Sequence, residues 1–347
     1  MDFAPVNPAR GQSFGPTYHR RMTPDSVAAY THEDVAEPWS EQVLDWGAEF
    51  HDLLLGDALR MRAYRLALRE AVRPGDVVVD LGTGTGVLAR WAIEAGAARA
   101  YGVERDPALL DRARAAAVDA GMGDRFVPVA GLSFDVDLPE PADLVVSEIL
   151  GNLVDNEACG PILADARARF LRPGGRLLPR RVERYLVPVE APRAHATVAS
   201  RPGRPFDAYY DVVLPRTGYL ASPRADRAFD AGVDVPEYET RLVFAVDRAG
   251  LFTGFKGWFV ADLSDTVVLD IAGDHVGTGP RDRTSSDSWR HAFLPVADPV
   301  AVEPHDRIVV TLSRAVPPGG GPFAQSYRWA GEVRRGPGAL ATFAQRT

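Results

Sequence analysis

Two glutamates nine positions apart, Glu148 and Glu157, are the residues of this chain best suited to do chemistry. Glu148 follows an apolar run, Leu144-Val145-Val146, that reads as a strand ending in Ser147-Glu148-Ile149-Leu150-Gly151-Asn152. Glu157 comes back after a hairpin-like loop. Two carboxylates meeting face to face repel each other and destabilise an empty site. A guanidinium removes that cost: it is planar, always protonated, and presents forks of donors that match carboxylates two at a time. A plainer alternative stays open, in which Glu148 caps something local and Glu157 is an acid favoured by the dipole of the following helix.

A second constellation lies upstream. Asp80-Leu81-Gly82-Thr83-Gly84-Thr85-Gly86 follows the strand-like run Val77-Val78-Val79 and precedes a helical segment. Glycines there let the backbone turn sharply and approach a ligand closely. Position 87 is Val, so the G-x-G-x-x-G/A dinucleotide fingerprint is not met. Glu104 ends the next strand, where a carboxylate can accept both hydroxyls of a bound ribose. A tight strand–helix turn with a nearby surface acid is the structural alternative.

The elements that must position these groups alternate. From Ser40 to Val72 apolar residues recur at helical spacing until Pro74-Gly75 breaks the pattern. If that helix is continuous, positions 53, 57 and 60 share a face, and Asp57 and Arg60 point into one cleft. Strands are expected at 77–79, 100–103, 126–129 and 143–147, with helices at 87–95, 107–120 and 159–170. Asp106 is the N-cap expected before Pro107. This is the signature of a doubly wound parallel sheet. Beyond Pro179 the texture changes to strands at 182–189, 240–246, 252–260, 267–271, 291–296 and 307–312, expected to form a mostly antiparallel barrel or sandwich. The expected division is a loose leader over 1–40, N-terminal helices plus a Rossmann-like domain over 41–179, and a β-rich, barrel-like domain over 180–347. Residues 193–230, rich in Pro, Arg and Ala, fit neither pattern and read as a disordered loop or an interaction arm.

Composition bounds the function. The apolar fraction of 46% and charged fraction of 25% over 347 residues are those of a globular chain with a sizeable core. A net charge of −8 excludes a broad nucleic-acid footprint. No run approaches the roughly 18 apolar residues of a membrane span, and the N-terminal stretch lacks an apolar signal core. A single cysteine, Cys159, excludes an intramolecular disulfide and a cysteine-rich zinc site and suits a cytoplasmic location. Neither nucleic acid, membrane nor metal is expected as a partner. Of 39 basic residues only Lys256 is a lysine, which reads as the coding bias of a GC-rich, bacterial genome.

The run from Val77 to Glu104 resembles the cofactor half of class I S-adenosylmethionine-dependent methyltransferases. That resemblance implies S-adenosylmethionine as cofactor, with Asp80, Gly82 and Gly84 on its methionine side and Glu104 on its ribose. Glu148 and Glu157, with Ser147 and Gly151, resemble the double-glutamate loop of the protein arginine methyltransferase family, and the segment His51 to Arg60 resembles the helix before the sheet in that family. The resemblance implies that His51 and Arg60 contact the cofactor's methionine end and that Asp57 faces the acceptor pocket. It also implies an arginine, free or within a peptide or small molecule, as acceptor, and a homodimer assembled through an arm, for which 193–230 is the candidate. It is good from about Phe50 to Val189 and faint beyond. The sequence departs from the pattern in three places. The family's threonine-histidine-tryptophan loop reads here as Asp287-Ser288-Trp289, with His291 close by. No aromatic motif precedes His51 beyond Trp46. Ile149, Leu150 and Asn152 stand where the family has aromatic, methionine and tyrosine residues. An O- or N-methyltransferase of a non-arginine small molecule and a non-catalytic cofactor-binding scaffold are the alternatives.

Overall fold

The computed structural model describes residues 33–38, 48–273, 286, 288–320 and 324–347. The sequence-based expectations for most of the leader, for Trp46 and for Asp287 lie outside the described residues. Strand β1 (Val35–Ala36) is followed by helices α1 (Ala48–Gly56) and α2 (Ala58–Ala71). The expected single helix is therefore broken at Asp57. Its side chain accepts a hydrogen bond from the Arg60 backbone N–H at 3.1 Å, which makes it the N-cap of α2. The shared helical face expected for positions 53, 57 and 60 does not exist.

The α/β alternation runs β2 (Val77–Leu81), α3 (Val87–Glu94), β3 (Arg99–Glu104), α4 (Pro107–Asp119), β4 (Phe126–Ala130), β5 (Ala142–Ser147), α5 (Cys159–Arg169) and β6 (Leu171–Leu178). The five strands are parallel in the order β4-β3-β2-β5-β6. Val78, Val79, Leu144, Val145 and Val146 are fully buried, as expected of central strands covered on both faces. Asp106 caps α4, accepting from Ala108 N at 2.8 Å and Leu109 N at 3.4 Å, with Pro107 in the first turn. Strand order reverses beside β2, so the carboxyl ends of β2 and β5 border the crevice where open α/β sheets take ligands. Ser147 Oγ donates to Leu81 O at 2.8 Å and ties those two ends together.

The second half contains β7 (Arg181–Val189), α6 (Pro192–Ala199), β8 (Tyr210–Val212), β9 (Arg224–Asp230), β10 (Tyr238–Ala245), β11 (Gly250–Asp262), β12 (Val268–Asp270), β13 (His291–Val302), β14 (Arg307–Ala315), β15 (Ser326–Arg335) and β16 (Gly338–Arg346). One antiparallel sheet has the order β1-β8-β13-β11-β7-β9, with β12 pairing β11; another has β10-β14-β15-β16. Among the described residues the strand path does not close, so the expected barrel is a two-sheet sandwich. Its interior is aromatic: Phe244, Phe252, Phe255, Tyr327 and Trp329 are buried in one cluster. Trp258, Phe259 and Phe293 belong instead to the core of the parallel sheet, so the larger sheet is packed on both faces. Within 193–230, β8 and β9 are strands of that sheet and α6 packs on β1 and β11, so the segment is built into the domain rather than projecting from it. No helix among the described residues is long and apolar enough to cross a membrane.

Candidate active site

A cavity of about 590 Å³ opens at the crevice between β2 and β5. Its floor is the turn after β2, where Gly82, Gly84 and Gly86 all have positive φ (66°, 52° and 73°). A Cβ at Gly84 would lie 2.9 Å from His51 Nδ1. Glycine is therefore required twice over, for conformation and for space. Asp80 braces this turn from beneath: its Oδ2 accepts from Thr83 Oγ1 at 2.6 Å and from Ala89 N at 3.0 Å, while Oδ1 is buried with no hydrogen-bond partner among the described residues. Burial pushes its pKa up to about 7, against the lowering effect of those hydrogen bonds. Asp80 supports the cavity without lining it.

Glu104 does line the cavity. Its Oε2 accepts from Gly84 N and its Oε1 from Asp106 N, both at 3.0 Å. Each oxygen keeps a lone pair for a further donor. His51 lines the same end, and burial lowers its pKa, with Glu104 opposing and Arg60 and Arg112 adding to the effect.

Glu148 and Glu157 line the same cavity, together with Arg60. The Arg60 guanidinium is ion-paired with Glu148 and lies over the Trp289 ring, with Cζ 4.6 Å from the ring centroid. Trp289 is itself fixed by its indole N–H, which donates to Leu150 O at 2.8 Å. Burial brings the Arg60 pKa down to about 10 against the pull of Tyr64, Asp57 and Glu157. Glu157 has no hydrogen bond or ion pair among the described residues. Burial pushes its pKa up to about 7; Arg60 opposes the shift and Asp211 adds to it. The two glutamates thus differ: one is paired, the other is held where its charge is costly.

Their separation is set by the loop between them. Gly151 and Val154 form an isolated bridge, and Val154 and Ala158 hold φ values of 75° and 59° that non-glycine residues rarely adopt. Asn156 Oδ1 accepts from Leu153 N at 2.9 Å, and Asn152 Nδ2 donates to Asp211 Oδ1 at 2.7 Å. Asp155 receives hydroxyl hydrogen bonds from Tyr238 and Tyr327, each at 2.8 Å, and lies 3.3 Å from Arg314 Nε. Arg184, fully buried, adds a bidentate pair with Asp226 at 2.9 and 2.7 Å. The sandwich therefore grips the middle of the double-glutamate loop.

Three residues expected near the acceptor are placed otherwise. Asp57 does not line the cavity; besides capping α2, its Oδ2 accepts from Ser288 N at 2.9 Å, from Ser288 Oγ at 2.7 Å and from Ser286 Oγ. Ser288 thus spends its hydroxyl on Asp57. His291 Nδ1 accepts from Leu214 N at 2.9 Å, and His291 is not among the residues lining the cavity. Sequence reasoning missed Tyr64, whose hydroxyl donates to Ser147 O at 3.2 Å, and Gln325, which lines the cavity from the second domain.

Comparison with known proteins finds methyltransferases. The family described as "Methyltransferase domain" matches residues 78–175, and "PRMT5 oligomerisation domain" matches residues 181–319. A probable protein arginine N-methyltransferase 6 of Arabidopsis thaliana is 32% identical over 144 residues, 41% of this chain and 33% of that protein. Protein arginine N-methyltransferase PRMT10 of the same plant is 35% identical over 157 residues, 44% of this chain and 39% of that protein. The chain thus spans about a third and two fifths of the length of these two relatives. Among solved structures, the Trypanosoma brucei PRMT1 enzyme–prozyme complex with AdoHcy superposes with a TM-score of 0.74 at 17% identity, covering 85% of this chain and 97% of that one. Arabidopsis thaliana protein arginine methyltransferase 10 gives 0.73 at 21%, covering 85% and 96%. By these matches the chain carries a methyltransferase domain followed by a segment similar to the PRMT5 oligomerisation domain, and it is similar in part of its sequence and in fold to protein arginine methyltransferases.

Proposed function

We propose that this chain is an S-adenosylmethionine-dependent N-methyltransferase whose acceptor is the guanidino group of arginine, free or within a peptide. The observation that carries the reading is the placement of Glu148 and Glu157 in one cavity with the glycine turn and Glu104. The residues present fit the cofactor. The space above Gly84 admits no Cβ, Glu104 offers lone pairs to ribose hydroxyls, and Val103, Leu109 and Leu132 give an apolar wall for a purine. A cavity of this size falls within the range of small-molecule sites. When bound, S-adenosylmethionine supplies a methyl group on a sulfonium, already activated for transfer to a nucleophilic nitrogen.

The protein's task is then to align and polarise the acceptor. Glu148 and Glu157 bind guanidinium nitrogens through charge-assisted hydrogen bonds and hold positive charge on the far side of the group. The reacting nitrogen gains lone-pair character. Glu157, whose proton affinity burial has raised to the neutral range, is the group here suited to take up the proton released from the methylated nitrogen. Arg60, already ion-paired with Glu148, holds that carboxylate in place. Asp57 acts at one remove, holding the Ser286–Ser288 segment and through it Trp289.

The test is mass spectrometry of products formed with S-adenosylmethionine and, in parallel, free L-arginine and an arginine-rich peptide. A gain of one or two methyl groups on either supports the reading and names the acceptor; transfer to neither overturns it. Assembly as a homodimer belongs to the same reading, supported by the oligomerisation-domain match over residues 181–319. A monomeric mass in solution would count against it.

A further inference from the structure

Gln325 is the one described residue of the sandwich that reaches the cavity wall; every other described lining residue lies at or before Ile162. Its orientation is fixed from behind. Arg314 Nε and Nη2 donate to Gln325 Oε1 at 3.2 and 3.0 Å. A guanidinium can only donate, so the amide must present its oxygen to Arg314 and turn its NH₂ the other way. The Tyr327 hydroxyl lies 3.5 Å from the same oxygen, so its neighbouring donors all come from the sandwich. Arg314 is itself anchored, with Nη1 donating to Pro236 O at 2.5 Å and Nε 3.3 Å from Asp155 Oδ2. Asp155 stands two residues before Glu157, so the amide and the unpaired glutamate are set by one rigid cluster.

We infer that Gln325 is a specificity-determining residue, whose amide N–H pair binds the sp² oxygen on the carbon next to the acceptor's Cα. The inference rests on the arginine reading above. Its chemical logic is division of labour along one side chain. The guanidinium end is cationic and takes the two carboxylates; the main-chain end carries an oxygen acceptor and requires a donor. A neutral amide serves a peptide carbonyl and an amino-acid carboxylate alike, and it does so without placing a second cation beside the guanidinium.

The experiment compares wild type, Gln325→Met and Gln325→Glu on three acceptors: L-arginine, an arginine peptide, and agmatine, which keeps the guanidine but has no oxygen next to that carbon. S-adenosylmethionine affinity is measured in each variant as a check that the cavity is folded. The near-isosteric Gln325→Met should raise KM about 5- to 10-fold for an acceptor that presents this oxygen and leave kcat within about twofold. Gln325→Glu, which replaces donors by acceptors, should raise it further. Agmatine should show the same KM with all three proteins. Whether L-arginine or the peptide carries the effect identifies the source of the oxygen. Equal losses on agmatine and arginine, or no loss on either, would overturn the inference while leaving the arginine reading intact. Methyl transfer by the wild type to none of the three would overturn both, through the parent reading.

Discussion

The guanidinium of Arg60 is ion-paired with the carboxylate of Glu148 and lies over the ring of Trp289, so Glu148 already binds a guanidinium of the protein itself. Glu148→Gln removes the charge and keeps the shape. Turnover should fall about 100- to 1,000-fold, the scale for losing one preorganised electrostatic contact. S-adenosylmethionine binding, followed by titration calorimetry, should stay within a few-fold of wild type. Unchanged turnover would remove Glu148 from the chemistry.

On the proposed reading, Glu157 should make activity depend on pH. With its pKa near 7, the carboxylate that grips a guanidinium is fully ionised only above neutrality. The acceptor kcat/KM should therefore rise through about pH 7 and level off. Glu157→Gln should remove that rise along with most of the activity. A profile that is flat from pH 6 to 8 in the wild type would contradict the assignment.

The same shift has a consequence for stability, and its sign is fixed. The folded pKa of Glu157 lies above the ordinary value of 4.5, so the folded state holds the proton more tightly than the unfolded one. The associated stability is present below about pH 4.5 and is lost as pH rises through about 7. Glu157→Gln should thus melt at a higher temperature than wild type at pH 8, with the difference shrinking towards pH 4.5. Asp80, also raised to about 7, adds to the wild-type slope in the same direction. A variant that melts lower than wild type at pH 8 would show that burial is not the dominant influence on Glu157.

Gly84→Ala tests the floor of the cavity. The φ of 52° costs a non-glycine residue about 1–2 kcal/mol, and the new methyl would press on His51 Nδ1 at 2.9 Å. Cofactor affinity should drop at least about tenfold by calorimetry, with a smaller effect on the melting temperature. Retained affinity would place the cofactor elsewhere.

Asp57→Ala removes an N-cap together with three hydrogen bonds to the Ser286–Ser288 segment. The cost should be about 2–4 kcal/mol by chemical denaturation. Because Trp289 adjoins that segment, its fluorescence should shift as well. Asp57→Asn, which keeps an acceptor oxygen, should recover part of the stability. If Asp57→Ala were inactive but fully stable with unchanged fluorescence, Asp57 would belong to the chemistry and not to the support.

What could be read from the sequence follows the range of the interactions. The turn from Val77 to Gly86 and the strand-end positions of Asp80, Glu104 and Glu148 were legible because they depend on neighbours within a few residues. Asp57 was misplaced because the leucine run Leu53-Leu54-Leu55 continues a helical pattern up to the point where a cap interrupts it. Strands β15 and β16 went unread because only a few of their residues face the core. Gln325 left no local trace at all. Its placement depends on Arg314 meeting Asp155 across a sequence gap of well over a hundred residues.

The grip of Tyr238, Tyr327 and Arg314 on Asp155 means that the two halves of the chain are not modular in the same sense. The parallel-sheet unit holds its own glycine turn and Glu104 and could be transplanted with those intact. The spacing of the acceptor glutamates could not, because it is calibrated by strands belonging to the other domain. If the proposed acceptor role holds, exchanging or drifting the sandwich in a lineage of such proteins should retune which guanidine is accepted, with the glycine turn and Glu104 left as they are.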